Sequence, residues 1–60
     1  MNEDKKLKYI AESYYNGQIT QMERLIREYG IKNFFHNFAY YCESWNMSEV
    51  YMKIAKIFFN

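Results

Sequence analysis

An all-α fold, a compact bundle of four short helices, is what this sequence predicts, and three observations predict it. Four segments carry apolar residues at the 3.6-residue period, no segment sustains a two-residue alternation, and the chain has two glycines and no proline. Both glycines fall between periodic segments, where a helix has to stop. No linker, low-complexity tract or composition shift divides the sequence, so residues 1–60 read as one domain.

The first helix is expected over 3–15, with Leu7, Ile10, Ala11 and Tyr14 at i, i+3, i+4 and i+7. Asn16-Gly17 is its stop, because glycine takes the left-handed conformation past a helix end at no steric cost. Thr20 to Glu23 then reads as a capping box, with the Thr20 hydroxyl accepting from an unpaired N–H while Glu23 reaches back. The second helix follows over 21–29 with Met22, Leu25, Ile26 and Tyr29 on one stripe. On its polar side Glu23 faces Arg27, and Arg24 faces Glu28, at i,i+4 spacing, which marks a wet face.

Gly30 ends that helix, and Lys32 or Asn33 is expected to open the third, which runs over 33–45 with Phe35, Phe38, Ala39 and Cys42 as its stripe. Asn46 paired with Glu49, or Ser48 alone, would cap the fourth helix over 48–59, whose stripe is Tyr51, Ile54, Ala55 and Phe58. Connections this short force successive helices to pack against each other.

The aromatic content is the unusual feature: seven Tyr, five Phe and one Trp make 22% of the chain. The stripes leave Tyr9, Tyr15, Phe34, Tyr40, Tyr41, Trp45 and Phe59 unassigned. Neighbours such as Tyr14-Tyr15, Phe34-Phe35, Tyr40-Tyr41 and Phe58-Phe59 point about 100° apart on a helix, too far for both to enter a narrow seam. Two readings follow. Either the third helix is central and buried nearly all round, or part of the surplus forms an exposed patch that meets a second chain. Interfaces are enriched in aromatic residues and Met, and between Asn33 and Trp45 the only charged side chain besides His36 is Glu43. The expected partner-binding residues are therefore Phe34, Tyr40, Tyr41 and Trp45, with His36 and Asn37 as a polar rim. Burial in a chain of this length barely exceeds the cost of ordering it, and the net charge is +1, so association as a homodimer or with one protein partner is expected.

Hidden chemistry finds little support in the residue pattern. His36, Tyr40 and Glu43 share a helix face, but His36 and Cys42 stand about 120° apart, which is poor geometry for a dyad. No Cys/His spacing suits zinc, and there is no phosphate loop, nucleophile elbow or acidic calcium loop, so no enzyme, metal or cofactor is expected. A single cysteine points to a reducing compartment. Without an apolar leader or an 18-residue apolar stretch, the expected location is cytoplasmic, with no membrane span. Tyr51, Ile54, Ala55 and Phe58 opposite Lys53 and Lys56 also fit a membrane-surface helix, but that stripe is needed to close the core.

The sequence thus predicts a small non-enzymatic protein-interaction module. Small size and an AT-rich type of composition associate it with bacteriophages and mobile elements, as an inhibitor that occludes a partner in counter-defence or host takeover. The alternative is a helix-turn-helix transcriptional regulator, with Gly30-Ile31 at the turn and Lys32, Asn33, His36 and Asn37 at the start of the recognition helix. Eight basic residues against seven acidic ones are too balanced for affinity drawn mainly from phosphates, so nucleic acid is not expected as the partner.

Overall fold

The computed structural model describes residues 3–60. It contains α1 (Glu3–Tyr15), α2 (Ile19–Tyr29), α3 (Ile31–Ser44) and α4 (Ser48–Phe59), with no strand among the described residues. The Cα radius of gyration is 10.3 Å, against about 10.4 Å for a well-packed chain of this length. The helices enclose one core of Leu7, Ile10, Ala11, Met22, Ile26, Phe34, Phe35, Phe38, Cys42, Val50 and Ile54. α3 packs against all three other helices.

Helix stops follow local chemistry. At the end of α1, Gly17 N–H donates to Tyr14 O at 3.0 Å and Gln18 N–H donates to Ser13 O at 2.9 Å, the paired bonds of a Schellman motif. Gly17 sits at φ 76°, as the sequence predicts. α3 ends in the same way with asparagine in place of glycine. Asn46 at φ 58° donates from its backbone N–H to Glu43 O, and Met47 N–H donates to Cys42 O at 2.6 Å. Asn46 therefore closes α3 rather than capping α4, and Ser48 lies inside α4, which opens from Met47 with no side-chain cap. Both expected caps for that helix are corrected.

Two further boundaries differ from expectation. α2 begins at Ile19, two residues early, with Gln18 at its N-cap and no side-chain cap bond, so Thr20 lies inside the helix and the capping box does not form. α3 begins at Ile31, leaving Gly30 as the entire connection. Its N–H donates to Ile26 O and its carbonyl accepts from Phe34 N–H, so one residue terminates α2 and starts α3. That reversal needs φ 104° and ψ 111°, outside the range of ordinary L residues. A helix-turn-helix motif joins its helices through three or four residues, which this connection lacks.

The buried faces match the expected stripes on α1 and α2 and shift on α3 and α4. Phe34 and Phe35 are both buried, at 0% and 7% exposure, because α3 is covered from three sides and its buried arc is wider than a seam. Phe34 stacks on Phe38 at 4.7 Å and meets Phe35 edge-on at 4.9 Å. Ala39 is exposed and Val50 is buried, both against expectation. Ser13 is the buried polar residue of α1, and its Oγ donates to Tyr9 O at 3.2 Å, which satisfies it within the helix. Arg27 places its guanidinium 5.4 Å from the Phe58 ring centroid, fastening α2 to the end of α4. The ion pair seen on the surface is Lys53–Glu49 at 3.9 Å.

Candidate functional site: an aromatic ridge and the groove beside it

The exposed side of α3 is built from residues left over after packing. Phe34, Phe38 and Cys42 recur at i+4 and turn inward, which aims His36, Tyr40 and Glu43 outward on the opposite face. His36 and Tyr40 meet edge-to-face with centroids 5.4 Å apart, forming a ridge. Tyr40 is 63% exposed and Trp45, one turn beyond the ridge, is 64% exposed. Trp45 leans on Tyr41 at 6.4 Å.

Depressions flank Tyr40 on both sides. Between α3 and α4 lies a groove of about 460 Å³ with Ala39, Tyr40, Glu43, Tyr51 and Met52 on its walls and Cys42 below. Asn46 and Ser48 at the α3–α4 turn complete its lining. Between α1 and α3 lies a smaller one of about 230 Å³, where Asp4 and Leu7 face Asn37, Tyr40 and Tyr41. Tyr40 borders both.

Of the six residues expected at a partner surface, His36, Tyr40 and Trp45 are exposed: His36 and Tyr40 share one face of α3, and Trp45 stands just past its end against Tyr41. Phe34 is not among them. Its complete burial makes it a core residue, and it leaves the candidate set. Asn37 is half-buried and engaged: its Nδ2 donates to the Tyr29 hydroxyl at 2.9 Å, tying α3 to α2. Tyr41 is half-buried, and burial, with Asp4, Cys42 and Glu12 adding negative charge, raises its phenol pKa above the usual value, so it stays a neutral donor. Met52, 59% exposed on the far wall of the groove, was missed. Its signal was available, since Met52 stands off the α4 stripe as an unassigned apolar residue.

Burial pushes the Cys42 thiol up to about 11, partly opposed by a hydrogen bond from the Tyr51 backbone, so little thiolate forms at neutral pH. No hydrogen bond joins His36 to Tyr40 or Glu43 among the described residues, and no group of His, Cys, Asp and Glu there could hold a metal ion. No described helix is long and apolar enough to cross a membrane. No protein-family model matches this chain, and neither a curated protein nor a solved structure is significantly similar to it.

Proposed function

We propose that this chain is a small non-enzymatic protein-interaction module that binds one partner polypeptide, or a second copy of itself, through the α3 ridge and the groove beside it. The observation that carries the reading is the exposure of Tyr40 on α3 and of Trp45 just past its end, both nearly two-thirds open to solvent. A well-folded monomer has no internal use for these rings, whereas interface centres use Tyr, Trp and Met as anchors. Met52 supplies a flexible apolar wall in the groove that Tyr40 also lines. A module of this size without a catalytic constellation acts by covering what it binds, so a stoichiometric inhibitor or adaptor is the functional form. Counter-defence or host takeover in a phage is the setting that its size and composition favour. The one-residue α2–α3 connection and a ridge of aromatic and acidic residues support a protein partner over duplex DNA.

Tyr40→Ala and Trp45→Ala test this directly, because surface truncations leave stability within about 0.5 kcal/mol. Partner or self-affinity, measured by calorimetry with the protein co-purified from the native host, should fall by more than about 2 kcal/mol for at least one of them. Full affinity in both folded variants overturns the ridge as the interface. Titration with labelled duplex DNA at two salt concentrations should show no steep salt-dependent binding.

A further inference from the structure

We propose that the groove between α3 and α4 accepts a partner segment that presents a cationic side chain, Lys or Arg, next to an apolar one. This rests on the protein-binding reading above and names the chemistry its groove selects. Three independent observations give the groove its preference.

Glu43 is the one charged side chain on the groove walls, and among the described residues its carboxylate has no ion-pair partner. Tyr40 and Tyr51 line the same groove, and aromatic rings attract a nearby cation through their quadrupoles. α3 also ends at this groove with no basic residue in its last turn, so the negative end of its dipole is left without a cation of its own. The N-terminus of α4 opens nearby with the opposite polarity, but Glu49 in its first turn offsets it.

The lysines of the chain lie elsewhere. Lys53 pairs with Glu49, Lys5, Lys6 and Lys8 sit on α1, and neither Lys32 nor Lys56 lines the groove. Ala39 and Met52 supply the apolar contact that the neighbouring side chain of the partner would cover. An acidic segment would meet Glu43 and an unneutralised helix end, so the groove selects against it.

The test uses the full chain and minimal probes. Acetyl-Leu-Arg-amide is titrated to about 10 mM, well above a Kd of ~1 mM, while the Met52 methyl, Ala39 methyl and Tyr51 ring signals are followed by NMR. Acetyl-Leu-Glu-amide and acetyl-Gly-Arg-amide serve as comparisons. Saturable shifts with the first and much weaker ones with the others are expected, and Glu43→Gln should weaken binding about fivefold, the upper end for an exposed ion pair. Glu28→Gln, on α2 and outside the groove lining, should leave it unchanged. Equal response to the Leu-Glu probe, indifference to Glu43→Gln, or no saturable shift overturns the proposal. Movement of the same signals on simple dilution would assign the groove to a second copy of the chain, which also overturns it. If a protein partner is captured through Tyr40 or Trp45 yet ignores Glu43→Gln, the interaction module stands and the cationic preference does not.

Discussion

Cys42, which the sequence places on the apolar stripe of α3, is a buried structural residue despite its nucleophilic side chain. It is 1% exposed, and its burial favours the neutral thiol. The folded state therefore holds that proton more tightly than the unfolded chain, whose thiol has the ordinary value of 9.0. The contribution to stability is complete below pH 9.0 and is lost as pH rises from there toward about 11. Tyr41 shifts in the same direction, so the two losses add in the alkaline range. Urea midpoints should stay level up to pH 9.0 and fall steadily above it, and Cys42→Ala should flatten part of that decline. An aromatic disulfide reagent should label Cys42 at neutral pH only at the rate of unfolding. A native thiol that reacts at once would place it at the surface. Phe34 departs from expectation, an aromatic residue that the sequence offers to a partner and the fold consumes. Its neighbour Phe35 occupies the stripe, yet both rings are buried because α3 has neighbours on three sides.

Helix ends divide into those that local chemistry fixes and those that it only suggests. Gly17 and Gly30 terminate helices where expected, because their positive φ values are strained for most residues with a Cβ. Space is not the constraint at either. A Cβ at Gly17 would meet nothing within 4 Å, and at Gly30 its nearest contact would be Asn33 at 3.7 Å. Backbone strain alone should then make Gly30→Ala cost at least about 1 kcal/mol, read from thermal melts. Thr20 and Asn46 were misplaced because capping motifs are short and compete. Asn tolerates the left-handed conformation nearly as readily as it caps a helix, and here the need to close α3 won. Thr20→Ala provides the matching test. With Thr20 inside α2 and no cap bond to lose, stability should change by less than about 0.5 kcal/mol or rise slightly. A loss near 1 kcal/mol would restore the capping box.

The whole molecule exposes 4464 Å², somewhat more than the about 4,200 Å² expected for a folded chain of 7.5 kDa. Tyr9, Tyr15, Tyr40, Trp45, Met52 and Phe59 all stand more than half exposed, on every helix but α2. On the proposed reading, covering the ridge would add stability to a chain with a core of this size. The melting temperature should therefore rise with protein concentration if the chain pairs with itself, and with added partner if it does not. Sedimentation across a hundredfold dilution separates the two. A melting temperature indifferent to both would leave the exposed rings without an energetic role.

The sequence by itself determined the fold class, the four helices, the stops at the glycines, and most of the rings that the core rejects. These are local properties, set by the 3.6-residue period and by backbone sterics at single residues. Tertiary structure decided which arc of α3 faces inward, so that Phe34 is buried and Ala39 exposed, and it opened the groove that brings Met52 and Tyr51 opposite Tyr40 and Glu43. A stripe records that a helix has an apolar face but not how many neighbours will cover it. That number depends on the angles at which other helices cross, and the crossings here placed three helices around α3 while leaving its aromatic ridge uncovered.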